Sequence, residues 1–459
     1  MKDMTKGSEA KLIFNFALPM FIGNIFQQLY NTVDSVIVGR ALGKEALGAV
    51  GASNPIMFLL ISLIIGVAMG SSILISQYFG ARDMDKVKKT IDTAYIFLFI
   101  ASIAVTIVGV IFSGPILRFM KTPDSIIHQA KSYLNVIFIG IIAMFGYNSI
   151  SAILRGLGDS KTPLIFLIIS TVINIVLDIV FVLVFNWGVA GAAWATVIAQ
   201  TCSFIFGIHH LNKTHDVFKF NVRDMKFDNR IFKESIRIGL PSGVQQMLFS
   251  FGMIAMQTMV NKFGADTVAA FTAASRVDTF ASMPIMNFGA AISTFVAQNI
   301  GAGKMERVKK GYRSTLVMST VICLIVTIAM QLWGTNLVRL FNKDPRVIVI
   351  GTEYLRIISI FYVVISAMFI TNGVLRGAGD TIFPMINSIL SLWLIRIPIA
   401  YTLSPRLGSK GIWWSIPIAW SFGLVLTYSY YRLGRWKKKI KYIQNKEDDN
   451  SSEIEFASN

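Results

Sequence analysis

The chain has 459 residues, of which 54% are hydrophobic and only 15% charged, and its mean hydropathy is +0.60. That balance excludes the two or three soluble domains that length alone would suggest and points to an all-α integral membrane protein. A net charge of +18 does not imply nucleic-acid binding, because the Lys and Arg fall mostly in short loops between apolar runs.

Twelve transmembrane helices are predicted, at about 13–41, 46–79, 90–114, 130–153, 162–186, 188–211, 236–262, 267–299, 314–336, 350–374, 382–404 and 409–432. The first run continues into a full span without a small-residue cleavage site, so no cleaved leader is expected. Several runs exceed the ~20 residues needed to cross, and should tilt or kink. Pro19 in the first span and Pro398 in the eleventh are the candidate kinks, Pro19 also the candidate hinge. Cys202 and Cys323 lie inside apolar runs, so no disulfide framework is expected.

With the N-terminus inside, inward segments hold 29 of the 43 Lys and Arg and outward loops hold 11. That bias predicts a multi-pass protein of the cell membrane with both termini cytoplasmic. A basic linker divides the chain, giving an N-lobe at 1–211, a linker at 212–235, a C-lobe at 236–434 and a tail at 435–459. The tail turns from basic to acidic and is expected to be disordered.

The two lobes repeat. GARDMDKVKK at Gly80–Lys89 matches GAGKMERVKK at Gly301–Lys310 in six of ten places. ILRGLGDSKTP at Ile153–Pro163 matches VLRGAGDTIFP at Val374–Pro384 in six of eleven, at the same offset of 221 residues. Six spans per half is an even number, so both halves enter the membrane in one sense. A parallel, pseudo-symmetric repeat with a central cavity is expected.

Few polar groups interrupt the spans. Asp34 lies near the outer end of span one, Asp178 near the outer end of span five, and Thr196 near the outer start of span six. At 1.5 Å per residue all three sit roughly 9–14 Å below the outer surface, with Asn174 one helical turn from Asp178. Carboxylate, amide and hydroxyl oxygens at one depth suit a proton or a hard cation such as sodium; the same groups could instead tie helices together. Gln27, Tyr30, Asn31 and Asp34 fall on one stripe of span one, which reads as a substrate wall or as packing. Asn148 and Gln200 are similar, weaker candidates.

The second lobe does not repeat the acids: at the same offset Asp34 meets Ala255 and Asp178 meets Ile399. It offers Gln245, Gln246, Arg276, Asp278 and Arg396 as possible substrate contacts, with a structural ion pair from Asp278 to Arg276 or Arg396 as the competing expectation. Walker, H-E-x-x-H and nucleophile-elbow motifs are missing, so a transporter rather than an enzyme is expected, with no cofactor. His209, His210 and His215 are poorly spaced for a metal.

The run ALPMFIGNIFQQLYNTVDSVIVGRALG in span one and the twin LRGxGDxxxP loops at Leu154–Pro163 and Leu375–Pro384 resemble the multidrug and toxic compound extrusion (MATE) family over about Lys11 to Arg435. The resemblance implies two six-helix lobes around a cavity that opens to alternate sides. It also implies export of amphipathic, often cationic, organic compounds in exchange for protons or sodium. In the bacterial branch with an acidic N-terminal lobe, the first-span Asp, the fifth-span N-x-x-x-D pair and a sixth-span Thr carry coupling; these map onto Asp34, Asn174, Asp178 and Thr196. Another branch carries carboxylates in spans seven and ten, which this chain lacks around Phe249 and over Phe361–Asn372. The alternative expectation is a flippase for a lipid-linked saccharide or other lipid, whose cavity should gather several Arg or Lys to hold a pyrophosphate. The remaining expectations are small organic substrates, no nucleic acid, and a monomer.

Overall fold

The computed structural model describes residues 2–214, 221, 223–438 and 440. His215 and most of the tail lie outside the described residues. The described chain is helical: α1 (Glu9–Gly80), α2 (Met84–Phe119), α3 (Asp124–Ile139), α4 (Ile141–Gly156), α5 (Lys161–Asp178), α6 (Gly188–Thr214), α7 (Asn229–Asn261), α8 (Ala265–Gly301), α9 (Met305–Arg339), α10 (Pro345–Ser359), α11 (Tyr362–Gly377), α12 (Ile382–Ile389), α13 (Ile397–Leu407) and α14 (Ser409–Arg432). The helix beyond α5 relaxes into a π-helical stretch, Ile179–Val184, and a second such stretch, Leu390–Arg396, joins α12 to α13.

Every predicted span falls on helix. Among the described residues seven helices are long and apolar enough to cross a membrane, or nine when each bent pair counts as one span. α7 and α14 fall short of that test because Gln, Ser, Pro, Tyr and Trp dilute their apolar residues. α1 carries two spans in 72 residues, and its backbone leaves helical geometry only at Gly43, with φ 82° and ψ −173°. That combination is open essentially to glycine alone, so Gly43 is where the first hairpin turns. Pro19 keeps helical dihedrals on both sides. Pro398 opens α13 directly after a π-helical stretch, where its missing N–H costs least.

The repeated loop motifs have a geometric cause. Gly158 and its counterpart Gly379 both stand at φ 82°, in the left-handed region where a Cβ is disfavoured. Asp159 then accepts from Thr162 N–H at 3.1 Å and Thr162 Oγ1 at 2.6 Å, closing the turn into α5. The bend is repeated as well: α3 meets α4 at 52°, and α10 meets α11 at 51°.

The chain forms two compact units. Unit 1 holds Met1–Lys2 and Leu18–Gly243; unit 2 holds Asp3–Ala17 and Val244–Asn459. In unit 1, Leu98, Leu117, Leu134, Phe138 and Phe145 form one apolar core. The opening turns of α7 pack there against α1 at glycine level. A Cβ on Gly70 would come within 2.1 Å of Ser235 O, and one on Gly239 within 2.2 Å of Gly66 O. Two small-xxx-small pairs, Gly66/Gly70 and Gly239/Gly243, therefore let these backbones touch.

In unit 2, Phe271, Tyr354, Tyr362 and Trp413 centre the core. The N-terminal segment is built into this unit. Met4 is 1% exposed; its N–H donates to Gln298 Oε1 at 3.0 Å, and its carbonyl accepts from Asn299 Nδ2 at 3.2 Å. Arg307 reaches Gly7 O at 2.9 Å and pairs with Glu9 at 3.1 Å. Burial raises the Asp3 carboxyl, but hydrogen bonds from Thr5 and the charges of Lys6 and Lys304 outweigh it and hold the group below its ordinary value.

Candidate functional site

Unit 1 brings the four predicted coupling residues together. Asp34 comes from α1, Asn174 and Asp178 from α5, and Thr196 from α6. Asn174 and Asp178 are 0% exposed, because successive turns of α5 place both on the face that packs on α6. With its amide turned so that nitrogen faces the carboxylate, Asn174 donates to Asp178 Oδ2 at 3.0 Å and accepts from Thr196 N–H at 3.2 Å. Thr196 Oγ1 meets Tyr30 Oη at 3.1 Å. The carboxyls of Asp34 and Asp178 are near enough to act on each other electrostatically. Two such neighbours repel when both are ionised and are reconciled by a proton or a cation between them.

What remains unpaired is all acceptor. Asp34 Oδ1, Asp178 Oδ1 and Gln200 Oε1 are buried with no hydrogen-bond donor. Orphan acceptors in a membrane interior are costly and are relieved by a proton or a cation. The π-helical stretch begins directly after Asp178, loosening the helix at the carboxylate, a placement common at functional sites. Among the described residues no three His, Cys, Asp or Glu gather as a metal cluster. A hard cation here would draw instead on carboxylate, amide and hydroxyl oxygens.

Tyr133 on α3, overlooked in the sequence, lies within electrostatic range of Asp34, Asp178 and Tyr30. A signal existed: Tyr133 and Tyr354 stand 221 residues apart, matching the offset of the repeated loops. Gln27 and Tyr30 are half-buried and Asn31 is exposed along α1. Asn148 donates its amide to Met144 O of its own helix at 2.8 Å. Gln245 is tied to Ser388 Oγ at 2.6 Å, while Gln246 is half-buried.

The ion pair considered for Asp278 is not made. Tyr362 donates to Asp278 Oδ1 at 2.6 Å and Tyr354 to Oδ2 at 3.3 Å, so two phenols occupy the carboxylate. Arg276, two residues away, points off the shared face and is exposed, whereas Arg396 is buried.

A helical membrane protein with an acidic cluster inside its spans and a duplicated scaffold has the design of a secondary transporter. The MatE family model matches residues 19–180 and 241–402, one segment in each half, both opening on the proline of a Leu-Pro pair. The chain is 36% identical over 436 residues to "Probable multidrug resistance protein YpnP" of Bacillus subtilis, covering 95% of this chain and 97% of that one. It is 34% identical over 433 residues to "Probable multidrug resistance protein YoeA" of the same organism, covering 92% and 93%. A solved outward-facing multidrug resistance MATE family transporter of the MOP superfamily superposes with a TM-score of 0.89 at 26% identity, covering 96% of this chain and 99% of that one. The chain belongs to the MATE family.

Proposed function

We propose that this multidrug efflux antiporter couples export to cation entry through the N-lobe cluster, with Asp34 and Asp178 as the exchanging carboxyls. Asn174 and Thr196 orient Asp178, and the half-buried wall of Gln27 and Tyr30 leads substrate past them. The observation carrying this reading is a pair of neighbouring carboxyls, each with a buried Oδ1 that has no donor. One bound proton, or one sodium ion, satisfies both groups; releasing it leaves two like charges that a cationic substrate relieves. Coupling then follows from differential affinity in two conformations. The basic inner loops support cytoplasmic termini, and a monomer suffices because the whole cluster comes from one chain.

The test is ethidium movement in proteoliposomes under an imposed proton gradient, then a sodium gradient, with Asp178→Asn beside wild type. Gradient-driven movement lost in the variant supports the assignment, and the effective gradient names the ion. Full export by Asp178→Asn would overturn it.

A further inference from the structure

Unit 2 holds orphan groups of the opposite kind. Arg396 closes the π-helical stretch Leu390–Arg396 and is 7% exposed. Its Nε is buried without an acceptor, and the guanidinium makes no hydrogen bond or ion pair among the described residues. Trp413, 0% exposed, also keeps an indole N–H without an acceptor. Trp413 packs edge-on against Tyr354 at 5.0 Å, and Tyr354 donates to Asp278. Asp278 and Tyr354 are within electrostatic reach of Arg396, so these residues form one cluster.

Guanidinium and indole N–H can only donate. Arginine stays charged at every physiological pH, so burial cannot silence it by deprotonation. Asp278 lies within electrostatic reach of it, but both carboxylate oxygens are taken by phenols, so its oxygens make no hydrogen bond to the guanidinium. The open position is one for an acceptor, and a charged acceptor binds a guanidinium more strongly than a neutral one. We propose that Arg396 is an anion-binding subsite of unit 2, taking a carboxylate or another monovalent anionic group. Asp278 beside it disfavours a doubly negative ligand, which limits the class to monoanions and zwitterions. The proposal deepens the export reading and rests on it for its purpose: the transported compounds then include amphiphiles that carry an anionic group. The same chemistry would hold a free inorganic anion.

The test uses the purified full chain in detergent, in a sulfate buffer of constant ionic strength. Sodium benzoate and sodium iodide are titrated separately, reading tryptophan fluorescence and thermal midpoint. The expected result is saturable binding of benzoate that also raises the midpoint. Arg396→Gln should weaken it at least ten-fold, with Arg396→Lys in between. Saturation by iodide with no benzoate response keeps the subsite and assigns it to an inorganic anion. Linear responses to both probes in wild type, or equal saturation in Arg396→Gln, overturn the proposal. Should Arg396→Gln fail to fold, the wild-type titrations and Arg396→Lys still decide. Benzoate binding does not depend on transport, so loss of ethidium antiport with binding intact would sink the coupling assignment alone.

Discussion

The role proposed for Asp178 rests on neighbours that fill one side of it and leave the other open. Asn174 supplies a donor to Oδ2, while Oδ1 has none. Replacing Asn174 by Ala removes that donor from a buried carboxylate, and the expected cost is about 1–3 kcal/mol of stability, read as a fall in thermal midpoint. Thr196→Val takes away the hydroxyl that meets Tyr30. A loss of about 1 kcal/mol should raise the ion concentration for half-maximal export roughly five-fold. An unchanged half-point in flux assays would show that Thr196 only packs. The acidic cluster was legible from sequence because carboxylates are rare in spans and their depths could be counted from the helix ends. Tyr133 was not, since a tyrosine suits any helix interface. The hydrogen bonds of Asn148 and Gln245 were hidden for a related reason: spacing shows that an amide lies in a span, but not that Met144 O or Ser388 holds it. The Asp278 pairing failed likewise, because two tyrosines from α10 and α11 reached the carboxylate first.

Helix crossings at glycine level set the tolerance of the scaffold. Gly70→Ala would place a methyl 2.1 Å from the carbonyl of Ser235, a backbone atom that cannot rotate away. The expected penalty is about 1–3 kcal/mol or more, enough to lower the thermal midpoint clearly or prevent folding. Gly51→Ala, also in α1 but with nothing within 4 Å, should leave it nearly unchanged. Equal behaviour of the two variants would refute the crossing. The spans themselves were readable from hydropathy, and the repeats from a constant offset. The matching bends at 52° and 51° and the two π-helical stretches were not. Hydropathy and offset record which residues are apolar and which repeat, not where a helix bends or changes its winding.

At the scale of the molecule, the N-terminal segment is a structural member of unit 2. Deleting residues 2–7 would expose the site of Met4 and leave Gln298 and Asn299 without its backbone. The expected loss, about 1.5–3 kcal/mol for the side chain alone, should appear as a lower midpoint. Because the Asp3 carboxyl is held below its ordinary value, its contribution is present above about pH 4 and is lost as pH falls through its folded value. The protection of the Thr5 amide against hydrogen exchange, taken relative to its intrinsic rate at each pH, should therefore fall only in strong acid.

The membership of the units carries one more consequence, for ancestry. The start of α1 belongs to unit 2, while the start of α7 belongs to unit 1, so each unit borrows a helix opening from the other half of the chain. Two genes cut between residues 214 and 223 would each encode a product missing one of its own parts. Expressed singly, neither half should give a stable protein; expressed together they should co-purify. In a tandem gene both borrowed openings are always made together, so fusion of an ancestral pair would have secured each unit's missing part.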